Sequence, residues 1–230
     1  MNIGETAYNL SIWIIPLIIA IVFHEVAHGW VANFFGDPTA KNKGRLSFNP
    51  IGHVDPIGTL ALPAILAVTG APIFGWAKPV PVIKSRLRNP RLHMMVVAVA
   101  GPGMNFILAL FGAIMLAVLL AVFGNNQAES LPVQFFADNF FNFILINIFL
   151  GVFNLIPLPP FDGSHITEGL LPASIAKYYR KLARYSFPIL IILLVVLPML
   201  LPGSSPVAEL IVPPVQFLTN MYLSLVGLGS

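Results

Sequence analysis

The sequence predicts an all-α polytopic membrane protein with about five transmembrane helices, and three observations carry that prediction. Hydrophobic residues make up 57% of the 230-residue chain and charged residues only 9%, against roughly 25% charged in soluble domains. Apolar stretches near 8–35, 93–123, 135–157, 185–202 and 206–228 are about as long as a bilayer crossing of ~20 residues at ~1.5 Å rise requires. All 12 Lys and Arg fall in three short clusters, Lys41 to Arg45, Lys78 to Arg91 and Lys177 to Arg184. The net charge of +3 therefore reports basic loops beside lipid headgroups and predicts no nucleic-acid partner. No polar segment is long enough to build a separate aqueous core. A chain with no Cys excludes a disulfide scaffold, a Cys-ligated metal site and a thiol nucleophile.

The first stretch begins near Tyr8 without a basic n-region or a small-residue cleavage site, so it is expected to be a retained span and not a signal peptide. The stretch 57–76 needs its own argument, because basic clusters flank it on both sides. The positive-inside rule places both clusters in the cytoplasm, and 20 residues cannot supply two crossings. We expect a re-entrant or interfacial segment there, with six crossings as the alternative if 57–76 spans. Gly58, Pro63, Gly70 and Pro72 suit broken backbone, which membranes tolerate only where it lines a protein cavity. Trp76-Ala-Lys-Pro-Val-Pro-Val82 alternates Pro and Val and is expected as extended chain. The fourth stretch is the shortest and is bounded by Pro188, Pro198 and Pro202. With the clusters inside, the N-terminus lies outside, the C-terminus lies in the cytoplasm, and the first and third spans run in the same direction. Residues 1–165 are expected to form the membrane core, and 166–230 a basic linker with two further helices.

The first chemical motif is His24-Glu25-Val26-Ala27-His28. Residues four apart share a helix face, so the two imidazoles can grip one metal ion, while Glu25 can take a proton from a water the metal activates. With 5 His and 9 acidic residues in 230, about 0.004 chance matches to H-[DE]-x-x-H are expected. Ionisable side chains inside a membrane also cost on the order of 2.5–3.5 kcal/mol each on insertion scales, which marks them as functional. A catalytic metal site needs a third ligand and an open position. The third span reaches the depth of His24 at Asn154-Leu-Ile-Pro157-Leu-Pro-Pro-Phe-Asp162-Gly163, where three prolines break the helix. Asp162 is a candidate third ligand there, or equally an N-cap for the next helix.

Together, H-E-x-x-H at 24–28, N-x-x-P-x-x-x-x-D-G at 154–163 and Gly101-Pro102-Gly103-Met104-Asn105 between them resemble the site-2 protease family of intramembrane zinc metalloproteases, of the M50 peptidase type. The resemblance covers about 8–165. The runs Asn49 to Gly58 and Gly75 to Pro81 resemble its small bacterial and archaeal branch, which lacks an appended PDZ or CBS domain. The resemblance implies that His24, His28 and Asp162 bind one zinc ion and that Glu25 is the catalytic acid and base. It also implies a three-helix catalytic core, a multi-pass place in the cell membrane with the site near its cytoplasmic side, and single-span membrane proteins as substrates in regulated intramembrane proteolysis.

Other polar residues have competing readings. Asn105 and Asn154 could orient substrate or stabilise an oxyanion, or simply bond across helices. His53 could approach the metal as a gate, and His165 could support a ligand, although the family more often has a small or basic residue at that place. The run Arg86 to Arg91 is most simply a headgroup anchor, and His93 an interfacial residue. A metal transporter would place the same histidines in a transit site, but no internal repeat is visible and Glu25 would have no task. A protease with Glu168 as third ligand would need Glu168 beside the two histidines.

Overall fold

The computed structural model describes residues 3–61, 65, 76–127, 130–201 and 206–229. Three of its helices are long and apolar enough to cross a membrane: α1 (Ile3–Phe34), α3 (Pro90–Gln127) and α4 (Leu131–Asn154). The smaller helices are α2 (Thr39–Asn42), α5 (Asp162–Leu170), α6 (Ala173–Ile191), α7 (Leu197–Leu200) and α8 (Pro206–Leu225). No strand occurs among the described residues. Helices dominate because a bilayer offers no water to the backbone, so each segment must satisfy its own N–H and C=O groups. The chain is accordingly an all-α, multi-pass membrane protein.

The fourth and fifth predicted crossings are also helical, but differ in extent and character. The helix that carries the fourth begins ahead of the third basic cluster, at Ala173, includes that cluster, and runs through a π-helical turn at Ile192–Val196 into α7. The fifth, α8, carries Pro213, Pro214, Gln216 and Asn220 among its apolar residues, which makes it less apolar than the first three. It is nonetheless packed into the bundle. Its Ile211 and Val215 share one buried cluster with Ala109, Ala113 and Leu116 of α3 and Ile144 and Ile148 of α4. Small side chains on α3 let its neighbours approach closely, which is the main source of helix association where lipid is as apolar as the core. Ile14, Leu17 and Ile18 of α1 and Ile107, Phe111 and Ile114 of α3 face outward and are exposed, as a lipid-facing surface requires.

Polar contacts fix the helix directions. Tyr8 Oη donates to Asp138 at 2.7 Å, and Asn142 Nδ2 to the Ile12 carbonyl at 3.0 Å, so early residues of α1 meet early residues of α4. The two helices run parallel, as the first and third spans should. α3 is antiparallel to them: Asn105 reaches the Ala20 carbonyl at 3.3 Å and Val97 lies against His28.

The ends of the 57–76 stretch meet. Trp76 N–H donates to the Gly58 carbonyl at 3.1 Å, and Thr59 Oγ1 to the Trp76 carbonyl at 2.9 Å. A single helical crossing between them would part these ends by about 25 Å, so the stretch returns to its starting level. Residues 62–64 and 66–75, which include Pro63, Gly70 and Pro72, lie outside the described residues. Trp76–Val82 has no helical turn, as its prolines require.

All three basic clusters converge at one end of the bundle, where they clamp the polypeptide as well as border lipid. Arg45 Nη2 donates to the Lys78 carbonyl at 2.8 Å. Lys84 and Arg180 share Glu168 Oε1 at 2.9 and 3.0 Å. Arg91 donates to the carbonyls of Gly169 and Leu171 at the end of α5. The Arg86 to Arg91 run is thus partly a staple holding α5 to α3, and its Arg86 Nη1 donates to Thr39 Oγ1 at 2.8 Å. Asp37, fully buried just past α1, accepts from Thr39 Oγ1 and from the N–H groups of Thr39 and Ile83 at 3.1 and 2.5 Å. Burial alone would raise its carboxyl, but these bonds and nearby Arg86 hold it below the usual carboxylate range.

Since 58 and 76 are bonded together, cysteines introduced at Lys43 and Ser85 should react with an impermeant reagent from the same side of the membrane, and one at Gln127 from the other. Opposite sidedness for Lys43 and Ser85 would restore 57–76 as a crossing.

Candidate metal centre

Two of the candidate ligands come from the inner half of α1, where the i, i+4 spacing stacks them on one face. His24 and His28 are both buried. The third arrives through the break after α4. That helix stops at Asn154, and Leu155–Phe161 forms irregular turns carrying Pro157, Pro159 and Pro160 before α5 begins at Asp162. Phe161 is buried and packs edge-on against Phe153, and Tyr179 Oη holds the Pro157 carbonyl at 2.8 Å, so the break is a fixed turn. Gly163 permits it. A Cβ there would come within 2.2 Å of the Leu155 carbonyl oxygen and 2.4 Å of that of Ile156. The motif's glycine is thus a requirement of close backbone approach.

Asp162 is the first residue of α5, whose N-cap position is taken by Phe161. The N-cap reading therefore fails, and the carboxylate points into the bundle. Its Oδ2 lies 3.2 Å from His24 Nε2 and 3.3 Å from His28 Nε2, and the two Nε2 atoms are 3.0 Å apart. His24, His28 and Asp162 form the group of potential ligands found among the described residues. Ligand atoms of a tetrahedral zinc site, with bonds of 2.0–2.1 Å, lie about 3.3 Å from one another, close to all three separations here.

Hydrogen bonds on the far side of each ring determine what the Nε2 atoms present. His28 Nδ1 lies 2.7 Å from the Val97 carbonyl, which can only accept, so Nδ1 carries the proton. His24 Nδ1 lies 2.6 Å from Asn105 Oδ1. The amide nitrogen of Asn105 donates to Asn147 Oδ1 at 2.8 Å and to the Ala20 carbonyl, which leaves its oxygen as the acceptor for His24. Asn147 in turn donates to the Phe143 carbonyl at 2.8 Å. With Nδ1 protonated, the neutral form of each imidazole turns an Nε2 lone pair toward the other ring and toward the Asp162 carboxylate, whose Oδ2 is buried. Three lone pairs at this spacing repel one another unless a cation stands among them, and two imidazoles with one carboxylate suit zinc.

Gly101 completes the cradle. A Cβ on this residue would lie 2.4 Å from His28 Nε2 and 2.6 Å from His24 Nε2. The opening glycine of Gly101-Pro102-Gly103-Met104-Asn105 therefore leaves the ligand atoms free, and the closing Asn105 orients one of them. Glu25, half-buried on α1, receives the Val80 N–H on Oε2 at 2.7 Å.

The remaining sequence candidates lie elsewhere. Asn105 has no solvent exposure and all of its amide atoms are engaged, which leaves no group free for substrate. Asn154 bonds back to the Leu150 carbonyl of its own helix at 3.0 Å. His53 is buried and holds the Ser47 carbonyl at 2.9 Å, and its own carbonyl accepts from Lys78 N–H, so it braces the loop and is not in the ligand cluster. His165 also lies outside that cluster, its Nδ1 buried without a hydrogen-bond partner, and burial pushes its imidazole below the ordinary value. Glu168 is paired with Lys84 and Arg180, which removes it as an alternative ligand. His93 stacks on Phe35 with ring centroids 4.0 Å apart. Asn147 is one of four asparagines on α4, and nothing local in the sequence separates it from the other three.

Replacing Gly101 by Ala should abolish stoichiometric zinc binding while leaving the helical circular dichroism unchanged. Asn105→Ala, which frees His24 to rotate and to change tautomer, should weaken zinc affinity by roughly 10–100-fold. Competition against a chelator of known affinity measures both.

Comparison with known proteins agrees with this geometry. The model of "Peptidase family M50" matches residues 122–197, the segment that contains α4, the proline break and Asp162. A protein of Bacillus subtilis (strain 168) named "Putative zinc metalloprotease YwhC" is 38% identical over 214 residues, covering 88% of this chain and 93% of its own. Another, "Putative zinc metalloprotease Rip2" of Mycolicibacterium smegmatis (strain ATCC 700084 / mc(2)155), is 25% identical over 178 residues, or 77% of this chain and 64% of its own. No solved structure gives a significant match. A relative this similar along nearly its whole length, with Asp162 inside the segment that the family model covers, means that the chain belongs to peptidase family M50.

Proposed function

We propose that this member of the family is an intramembrane zinc endopeptidase, which hydrolyses peptide bonds within or beside the transmembrane segments of single-span membrane proteins. The observation that carries the reading is the meeting of three lone pairs from His24, His28 and Asp162 at 3.0–3.3 Å, with a carboxylate one residue from the first ligand. Zinc held by these three side chains supplies Lewis-acid polarisation of a peptide carbonyl and a water acidic enough to ionise near pH 7. Glu25, anchored at Oε2 by the Val80 N–H, would be the group that holds the proton and passes it to the leaving amine. Asn105 and the Val97 carbonyl keep the two imidazoles in the tautomer that leaves Nε2 free.

The location of the site supports the intramembrane reading. His24 lies 22 residues into a 32-residue apolar helix, in the half whose end carries the three basic clusters. By the positive-inside rule that end is cytoplasmic, so we place the catalytic centre near the cytoplasmic face and the cut in the cytoplasmic half of the substrate span. A substrate helix must unwind first, because its carbonyls are already hydrogen-bonded. Gly lowers that cost by roughly 1 kcal/mol and Pro by ~3 relative to Ala. The unwound strand has a restricted place to pair. On 76–82 the Trp76 and Lys78 amides donate to Gly58 and His53 and that of Val80 to Glu25, while Pro79 and Pro81 offer no N–H to the opposite edge. Strand addition would therefore draw on the N–H groups of Ala77 and Val82, which no hydrogen bond engages among the described residues.

Glu25→Gln should retain one zinc ion per chain and lose cleavage of a single-span reporter by at least ~10²-fold, whereas His24→Ala should lose both. Metal content and reporter cleavage, measured on the same preparations, separate the two outcomes. Unchanged proteolysis in the Gln variant would refute the assignment of Glu25.

A further inference from the structure

Resting on the peptidase reading above, we propose that the main-chain amide of Val80 is the positioning donor for Glu25, and that the extended segment 76–83 is a strap that fixes the aim of the general base. Helix α1 fixes the Cα of Glu25, but three rotatable side-chain bonds separate that atom from the carboxylate. Left alone, the group samples several rotamers. The Val80 N–H lies 2.7 Å from Oε2, within the range of charge-assisted bonds. Among the described residues Oε1 has no hydrogen-bond partner, so one oxygen is anchored and the other is free to accept a proton.

The sequence around the donor reserves it for this contact. In Pro79-Val80-Pro81 both flanking residues lack an N–H, so Val80 carries the single donor of the three. The strap is then clamped on both sides of it. Upstream, Lys78 N–H donates to the His53 carbonyl at 2.9 Å, and Arg45 Nη2 donates to the carbonyls of Lys78 and Pro79 at 2.8 and 3.5 Å. Downstream, Ile83 N–H donates to the buried Asp37 at 2.5 Å. The Val80 side chain is itself buried, seated where Gly29 leaves α1 bare; a Cβ on Gly29 would lie 2.9 Å from Val80 Cγ1. This arrangement gives His53, Arg45 and Asp37 a shared task, which is to hold one amide still.

The test uses the full chain in lipid nanodiscs. Exchange of the Val80 amide, followed with ¹⁵N-valine labelling, should accelerate about tenfold or more in Glu25→Ala. It should stay near the parent rate in Glu25→Gln, whose amide oxygen still accepts the bond. In kinetics on a single-span reporter, Val80→Pro should lower kcat by roughly 10–100-fold with KM and zinc content unchanged. The conservative Val80→Ala keeps the N–H and should restore most of kcat. Arg45→Ala, which loosens the strap without touching Val80, should lower kcat by a smaller factor and decides the kinetic question if Val80→Pro does not fold. Equal exchange in the Ala and Gln variants of Glu25, or a kcat for Val80→Pro equal to that of Val80→Ala, would overturn the proposal. A zinc-loaded parent that cleaves no reporter would instead overturn the peptidase reading and the kinetic role with it, a failure visible before any strap variant is compared.

Discussion

Three electron pairs that should repel one another are brought within 3.3 Å, and most of the molecule's unusual features follow from holding them there. Their owners are far apart in the chain: the two histidines lie on one helix and the aspartate lies beyond a different one. Bringing them together requires two parallel helices with a third running back between them. It also requires the third crossing to end at the level of the histidines. The three prolines after Asn154 and the bare Gly163 produce that ending, and Gly101 on the returning helix leaves space for the ligand atoms.

The same constraint explains the distribution of polar groups. In a bilayer a buried amide must find a partner inside the protein, and the asparagines of α3 and α4 satisfy one another while orienting His24. The chain Phe143 carbonyl, Asn147, Asn105, His24 runs from helix backbone to ligand atom through atoms of defined donor and acceptor role. It therefore fixes a tautomer as well as a position. At the basic end of the bundle, Lys84, Arg180 and Arg91 tie α5 in place through Glu168 and the carbonyls at its end. The helix that begins at Asp162, the candidate third ligand, is therefore held by charge-assisted bonds from residues that sequence alone would assign to lipid headgroups.

His24, His28 and Glu25 were legible as candidate ligands and base because they are ionisable residues at helical spacing in apolar surroundings, where chance and packing are poor explanations. The direction of the spans was legible from the basic clusters, and the return of 57–76 from the charge on both its flanks. What was not legible depended on partners distant in sequence. Nothing local distinguishes an Asn105 that binds substrate from one that orients His24, since the difference lies in Ala20 and Asn147. Likewise Asp162 reads equally as cap or ligand until α5 is seen to begin on that residue. Nothing local marks Asp37 either, since one of the amides that it accepts from, that of Ile83, belongs to a segment 46 residues away.

The central claim is that Asp162, delivered by the proline break, joins His24 and His28 around one metal ion. Zinc content per chain, measured by elemental analysis on the purified parent and on Asp162→Ala with matched helicity, tests it most directly. The account predicts one zinc per parent chain and a small fraction of that in the variant. Equal zinc in the two proteins would contradict it.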